Sequence, residues 1–181
     1  LIKGHARWIE NASPVEYLVV DAPSPAAVSA VKDAVVTLDG FITARSFSHV
    51  SDSSQINPCT GQPNTVSWRS GDGPGGTLAV AGVCVNTQAQ AIVGFRIAFD
   101  LFDTWATDGD PESFDVQNVA AHEAGHMAGL GHVNAPRDGC LSMYTFSARG
   151  ETQKRTLGWG DKLGLDMIYG SGDITSGQCG S

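Results

Sequence analysis

The spacing of apolar and polar side chains predicts five strands in this chain. Apolar residues dominate five runs of strand length, which are separated by polar or glycine-containing turns. These runs cover residues 15–20, 41–50, 65–69, 78–85 and 91–99. The polar segment 52–64 and the glycine-rich segment 70–76 interrupt them and are predicted to be loops.

Three helices are predicted from apolar positions at helical spacing. The first begins after Ser24, a residue type that caps helix N-termini, and ends at Gly40. The second opens at Asp110 and is stopped by Gly129, and the third covers residues 161–168. Because strands dominate the first half and helices the second, we predict an α+β fold with a cleft between the halves.

Length, composition and charge limit the possible functions. The 181 residues suffice for one domain, which we take as residues 1–181. Lys and Arg number 11 against 19 Asp and Glu, so the net charge of −8 argues against nucleic-acid binding. Hydrophobic residues make up 41% and charged residues 17%, which excludes a disordered acidic segment. No apolar run is long enough to span a bilayer, so no membrane span is expected.

Four cysteines indicate an oxidising compartment. Cys59, Cys84, Cys140 and Cys179 form no CxxC pair, which favours two disulfides in a secreted or extracellular protein. Of the three possible pairings we prefer Cys59–Cys84 with Cys140–Cys179, and buried free thiols are the alternative. Because the sequence opens at Leu1 without a signal-like segment, we expect any targeting or pro-segment to lie outside it.

A cluster of histidines carries the candidate chemistry. His122 and His126 are four residues apart, so on a helix they share one face and can bind one metal ion. Gly129 permits a sharp turn that returns His132 as a third ligand. Three imidazoles leave one tetrahedral position open for water, which is typical of catalytic rather than structural zinc. Glu123, next to a ligand, is the candidate general base.

The histidine segment resembles a known family. It reads HEAGHMAGLGH and matches HExxHxxGxxH, the long zinc motif of the metzincin metalloproteases. The alternative, histidines that only cap or fill a helix, does not explain so many fixed positions. Leu141-Ser142-Met143-Tyr144 is similar to the family's Met-turn, with Met143 as the turn methionine. A methionine that merely fills core space is the alternative there.

Further segments resemble the matrixin branch, the matrix-metalloproteinase-like enzymes. Residues 72–79 are similar to the DGPGGxLA loop of that branch, and residues 99–105 to its FDxxExW segment. The resemblance implies a metzincin catalytic domain with a twisted mixed β-sheet, two helices above it, and a third, C-terminal helix after the Met-turn. It also implies an active-site cleft between an upper subdomain, about residues 1–131, and a lower subdomain, about residues 132–181.

In matrixins the two segments wrap a structural calcium ion. Carried over to this chain, the ligands would be the carboxylates of Asp72, Asp100 and Asp103 and the backbone carbonyls of Gly73, Gly75 and Thr77. Calcium takes six to eight oxygen ligands, so this donor set is suitable. Asp103 stands where the family usually has Glu, which shortens the reach by one methylene. A turn with solvated aspartates is the alternative.

The chain departs from the matrixin pattern at two places. The family binds a second zinc partly through histidines where Val80 and Ala98 stand here, so no second zinc is expected. His5 and His49 are expected to be ordinary surface or half-buried residues. The inhibitory pro-peptide motif PRCGxPD is absent, and residues 136–140 resemble it only superficially.

The resemblance also implies a substrate cleft. Asn118 would form the floor of the pocket for the side chain that follows the scissile bond, and Tyr144 and Thr145 its outer wall. Because Asn is short and neutral, we expect a roomy pocket for an uncharged side chain. Leu78 and Ala79 would lie on the strand that pairs with extended substrate.

These features predict a zinc-dependent endopeptidase that hydrolyses peptide bonds of extended protein substrates. Zinc would activate water, with Glu123 as general base and then general acid. The expected cofactors are one catalytic zinc and a structural calcium, the expected partner is a protein or peptide substrate, and the expected state is a monomer. The alternative is a non-catalytic extracellular binding module stabilised by zinc and calcium, which has no need of the Glu123 carboxylate.

Overall fold

Five strands form one mixed sheet in the computed structural model, which describes residues 6–38 and 40–170. They are β1 (Val15–Val20), β2 (Phe47–His49), β3 (Asn64–Arg69), β4 (Ala79–Asn86) and β5 (Ala91–Asp100). The strand order is β2-β1-β3-β5-β4, and all neighbours are parallel except β4 and β5, which are antiparallel. β4 is therefore an edge strand. A short parallel ribbon joins β6 (Trp105–Ala106) to β7 (Phe114–Asp115).

Three helices accompany the sheet. They are α1 (Pro25–Val36), α2 (Val116–Met127) and α3 (Trp159–Tyr169), and two short 3-10 helices cover Pro136–Asp138 and Gln153–Arg155. The Ser24 hydroxyl caps α1 by accepting from the Ala27 N–H at 3.1 Å. α1 and α2 pack against each other. The α+β prediction is confirmed, including a mixed sheet and a helix that follows Met143. None of the helices in the described residues is both long and apolar enough to cross a membrane.

The predicted strand over residues 41–50 is wrong in extent. Only β2 has strand structure there, while residues 40–46 form turns and irregular backbone. Phe41 and Ile42 are nevertheless buried. Apolar residues in a turn can fill the core as well as those in a strand, so the apolar run overstated the strand. His49 is half-buried on β2, as expected.

The predicted start of the second helix at Asp110 is also wrong. The Asp110 carboxylate accepts from the Ser113 hydroxyl at 2.7 Å and so closes a local turn. The helix begins at Val116, after Asp115, whose carboxylate caps it by accepting from the Asn118 N–H at 2.9 Å. Two aspartates near each other both suit a helix start, and only the second is followed by helical backbone.

Aromatic side chains pack against one another in the core. Trp8 is 1% exposed and meets Phe47 and Phe95 edge to face, with ring centroids 5.4 and 6.5 Å apart. Trp68 stacks on Phe99 at 4.5 Å. Burying one such ring contributes about 1.5–3 kcal/mol, so these contacts account for much of the sheet's stability.

A disulfide joins the loop before β3 to the edge strand β4. It links Cys59 to Cys84 and confirms the preferred pairing for these two residues. Closing a loop of 25 residues stabilises the fold by about 3 kcal/mol in the chain-entropy model. Cys140 is also disulfide-bonded. Cys179, its predicted partner, and His5 lie outside the described residues.

The C-terminal end of α2 is held by two distant parts of the chain. The indole N–H of Trp8 donates to the Met127 carbonyl at 3.0 Å, and the Tyr169 hydroxyl donates to the Ala128 carbonyl at 2.9 Å. These bonds satisfy carbonyls that a helix leaves without partners at its end. Gly129 follows with φ of +99°, a conformation that favours glycine. Trp8 and Tyr169 therefore hold the end of α2, and the chain turns at Gly129.

Candidate active site

Three histidine side chains meet beside the C-terminal half of α2. His122 and His126 lie one turn apart on the helix, and the turn at Gly129 brings His132 back to them. His132 Nε2 is 3.1 Å from His122 Nε2 and 3.0 Å from His126 Nε2. Within the described residues, this is the one group of three possible metal-ligating side chains whose ligand atoms all lie within 4.8 Å.

Backbone carbonyls orient two of the three rings. His122 Nδ1 is 2.6 Å from the Ser142 carbonyl oxygen, and His126 Nδ1 is 2.9 Å from that of Leu130. Each Nδ1 therefore carries the proton and donates, and each Nε2 keeps its lone pair. His132 Nε2 carries at most one N–H. It can therefore donate to the Nε2 lone pair of His122 or to that of His126, but not to both. The converging nitrogens fit a divalent cation such as zinc.

Electrostatics favour neutral imidazoles, the form that binds metal. Burial, and then the neighbouring His126, lower the pKa of His122 to about 4. Burial is also the largest cause that lowers the pKa of His126. The rings are therefore unprotonated at neutral pH, and metal binding does not have to displace a proton from these two.

Glu123 places a buried carboxylate beside the histidines. The residue is 4% exposed, and its Oε2 has no hydrogen-bond partner in the part of the chain that the structure describes. Burial raises the pKa of Glu123 to about 7, and a hydrogen bond from the Ala81 N–H opposes this shift. A carboxyl group whose pKa lies near neutral can both accept and release a proton.

The predicted Met-turn lies directly beneath α2. Met143 is 2% exposed, and its carbonyl accepts from the Val133 N–H at 2.9 Å, so the turn pairs with the segment after His132. A Cβ atom built on Gly125 would lie 2.2 Å from Met143 Sδ. Met143 therefore packs against the backbone of α2 at the glycine between the two helical histidines.

We expect Gly125→Ala to destabilise the protein. Overpacking a filled core costs about 1–3 kcal/mol, which exceeds the gain of about 1 kcal/mol from replacing a helical glycine. Urea denaturation in the presence of a chelator measures this difference without a metal contribution. In a Met143→Ala background the same substitution should stabilise, because the clash partner is gone. A Gly125→Ala protein as stable as the wild type would contradict the contact.

A cleft of about 850 Å³ runs between the β4 edge and the segment after the Met-turn. The three histidines and Glu123 line its centre. Eight other residues predicted as site residues also line it: Asp72, Gly75, Thr77, Leu78, Ala79, Asn118, Tyr144 and Thr145. Leu78 and Ala79 lie on the β4 side, and Tyr144 and Thr145 lie on the opposite wall. These predicted residues thus lie on both sides of one cleft.

Asn118 has its polar atoms occupied by the protein. It is 1% exposed, its Nδ2 donates to the Ser147 hydroxyl at 2.9 Å, and its Oδ1 accepts from the Lys154 N–H at 2.8 Å. Ser147 and Lys154 also line the cleft and were not predicted. A lone lysine in an irregular segment gives no sequence signal. Only the structure shows that Lys154 is buried and forms an ion pair with Glu151.

The predicted calcium ligands lie in two adjoining loops. Each of the three carboxylates accepts from backbone N–H groups, including Gly73 to Asp100 (2.8 Å), Gly75 to Asp103 (2.8 Å) and Thr77 to Asp72 (2.9 Å). Among the described residues, the three carboxylates do not form a cluster within 4.8 Å. Asp103 is 6% exposed, and its Oδ2 has no hydrogen-bond partner in the described chain. The loops are adjacent, while the carboxylates are held apart by their bonds to backbone.

The family model for the matrixins matches residues 26–170. Stromelysin-3 of Homo sapiens is 43% identical over 99 residues, stromelysin-3 of Mus musculus 37% over 99 residues, and metalloendoproteinase 1 of Glycine max 35% over 105 residues. Each alignment covers 55% of this chain, and they cover 18%, 18% and 30% of the three relatives. The chain thus spans less than a third of the relatives it matches.

A solved structure of myroilysin is also similar to this chain. The two share 16% sequence identity with a TM-score of 0.48 over 91% of this chain and 82% of that one.

Proposed function

The chain belongs to the matrixin family, and from this premise we propose that it is a zinc-dependent endopeptidase acting on extended protein segments. The family implies a catalytic zinc, and His122, His126 and His132 would hold it. The observation that carries the proposal is the position of a buried carboxylate, Glu123, beside three converging imidazole nitrogens in an open cleft; one of its oxygens has no hydrogen-bond partner in the described residues. A purely structural zinc site has no use for such a carboxylate.

Zinc and the protein side chains contribute different parts of the proposed hydrolysis. Zinc, when bound, lowers the pKa of water and polarises a carbonyl group. Glu123 accepts the proton from the attacking water and passes it to the leaving amine, since its carboxylate lines the cleft with one free oxygen. Ser142 and Leu130 keep His122 and His126 in the tautomer that leaves Nε2 free.

The edge strand β4 provides a place for extended substrate. It hydrogen-bonds to β5 on one side only, and Leu78 and Ala79 at its start line the cleft. An extended peptide can add to such an edge through main-chain hydrogen bonds, which are independent of peptide sequence. Tyr144 and Thr145 form the facing wall, and Thr145 is tied to Val133 by backbone hydrogen bonding at 3.2 Å. Substrate would lie between the two walls.

A cleavage assay tests the proposal. The zinc-loaded protein is incubated with an unstructured protein and a quenched peptide, and the products are mapped by mass spectrometry. We expect internal cuts that stop on addition of a zinc chelator and resume with excess zinc. A protein that binds one zinc per chain and cleaves neither substrate would support the binding-module alternative and remove the endopeptidase.

We extend the proposal to a structural calcium ion between the loops that contain Asp72, Asp100 and Asp103. Asp103 Oδ2 is buried without a partner, and Gly73 and Gly75 permit the backbone to turn its carbonyls towards a cation. Calcium would replace the bonds that now join backbone N–H groups to these carboxylates. The loop also contributes to the cleft, so calcium would stabilise one rim of it.

Removal of calcium is expected to lower the melting temperature by several degrees. For a domain of this size, about 1–2 kcal/mol of lost stabilisation corresponds to roughly 2–8 °C. The measurement compares thermal unfolding of the zinc-loaded protein in calcium-free buffer, after exhaustive dialysis, with unfolding in the same buffer plus excess calcium. Asp103→Asn should abolish the difference, because it removes a ligand charge. An equal melting temperature with and without calcium would rule out the calcium site.

We also propose where the protein is found and its oligomeric state. The disulfides favour an oxidising, extracellular location, where such bonds persist. We propose that the chain acts as a monomer, with an upper part of about residues 1–131 and a lower part of about residues 132–181 on the two sides of the cleft.

A further inference from the structure

Asn118 and the first of the three histidines lie one turn apart on α2. Asn118 is four residues before His122, so the two side chains share one face of the helix. The Asn118 side chain is bonded within the protein at both ends, to the Ser147 hydroxyl and to the Lys154 N–H, and the residue is 1% exposed. These bonds therefore connect α2 to another part of the protein.

The backbone of residues 154–156 connects Asn118 to the Met-turn. On one side, the Lys154 N–H donates to Asn118 Oδ1 at 2.8 Å. On the other side, the Ser142 hydroxyl lies 3.0 Å from the Thr156 carbonyl oxygen and 3.3 Å from that of Lys154, so its proton is directed at the same segment. Ser142 is 0% exposed, so water has little access to these bonds.

The Met-turn returns to α2 through His122. The Ser142 carbonyl oxygen accepts from His122 Nδ1 at 2.6 Å. The hydrogen bonds therefore form a closed circuit, which runs from His122 to Ser142, through residues 154–156 to Asn118, and along one turn of α2 back to His122. In the interior of a protein the bonds of such a network strengthen one another, so the whole holds its members more firmly than separate bonds would.

We propose that Asn118 and Ser142 are positioning residues for His122, the first of the proposed zinc ligands. The inference rests on the proposed function. The imidazole belongs to α2 and the carbonyl that fixes its tautomer belongs to the Met-turn, so the ring is oriented correctly only while these two elements keep their separation. Residues 154–156 fix that separation because they bond to both elements. Neither side chain would bind the metal itself.

A second buried asparagine allows positioning to be distinguished from general support of the fold. Asn57 is 2% exposed, its Nδ2 donates to the Phe95 carbonyl at 3.2 Å, and its Oδ1 accepts from the Cys59 N–H at 3.0 Å. It therefore resembles Asn118 in burial and in bonding. Because it belongs to the loop before β3 and not to the circuit, Asn57→Ala is the matched control.

The test measures zinc affinity by competition with a chromophoric chelator, and the stability of the metal-free protein by urea denaturation. Asn118→Ala should bind zinc about 10–100-fold more weakly than the wild type, the usual effect of losing support for a metal ligand. Asn57→Ala should lose stability to a similar extent and bind zinc as tightly as the wild type. If Asn118→Ala is destabilised but keeps the zinc affinity of the wild type, the inference is overturned.

A double variant tests whether the circuit is closed. Ser142→Ala removes one oxygen atom on the other side of residues 154–156 and should lower zinc affinity by a similar factor. Because a circuit that is already open loses little from a second break, Asn118→Ala/Ser142→Ala should bind zinc about as weakly as the weaker single variant. Two factors that multiply would show independent contributions and would overturn the circuit.

The smaller substitution keeps the proposal testable if the larger one prevents folding. Should Asn118→Ala not fold, Ser142→Ala alone decides, since a zinc affinity equal to that of the wild type contradicts the proposal. A wild-type protein that binds no zinc would instead count against the proposed function, so the two failures are distinguishable.

Discussion

Glu123→Gln is expected to lower kcat for peptide cleavage by about 10²–10⁴-fold while the protein still binds one zinc ion per chain. The substitution keeps the size of the side chain but removes its ability to take up a proton at neutral pH. Glu123 is not one of the three side chains that would bind zinc, so His122, His126 and His132 are unchanged in the variant. The measurement pairs steady-state cleavage of a quenched peptide with zinc content by atomic emission.

The same variant should not lose stability. Glu123 is 4% exposed and one carboxylate oxygen has no hydrogen-bond partner in the described chain, so a neutral amide is less costly to bury there. We therefore expect a melting temperature equal to or above that of the wild type. Glu112→Gln, at an exposed position, is the matched control and should change neither activity nor stability. Equal cleavage by the Glu123→Gln protein and the wild type would remove Glu123 from the mechanism.

The three-histidine cluster could be predicted because its geometry is local. An α-helix fixes the relation of His122 to His126 whatever surrounds it, and Gly129 signals the turn that returns His132. The same holds for the Ser24 cap of α1. In each case a few neighbouring residues determine the structure, and no distant part of the chain is needed to state it.

The features that the sequence did not predict depend on distant contacts. Lys154 is buried because Glu151 and the Asn118 amide, 36 residues earlier, surround it. The sequence predicts the start of α2 at Asp110 instead of Asp115 because both aspartates are suitable N-cap residues. Contacts with the rest of the protein determine which of them caps the helix. The segment between residues 134 and 158 has no periodic pattern, so sequence spacing cannot bring its members together.

One such distant contact connects α3 to His122, the first of the proposed zinc ligands. The Asp161 carboxylate accepts from the Ser142 N–H at 2.7 Å, the Met143 N–H at 3.2 Å and the Gly158 N–H at 2.9 Å. Asp161 is 3% exposed, so these N–H groups have little access to water. The carbonyl of Ser142 in turn orients His122. Asp161 therefore fixes both the start of α3 and the turn that supports the metal ligand.

Asp161→Ala is expected to destabilise the protein by at least about 3 kcal/mol, because it leaves three buried N–H groups without an acceptor at about 1–3 kcal/mol each. Zinc affinity should also fall about 10–100-fold, the usual effect of losing support for a ligand. Urea denaturation of the metal-free protein and zinc competition with a chromophoric chelator measure the two effects separately.

Asp161→Asn retains one acceptor oxygen and should lie between Asp161→Ala and the wild type in both measurements. Asp166→Ala, on the same helix and half-buried, is the matched control and should change neither. If Asp161→Ala loses stability but binds zinc as tightly as the wild type, then Asp161 supports the fold alone. In that case the Ser142 carbonyl would hold His122 in position without help from α3.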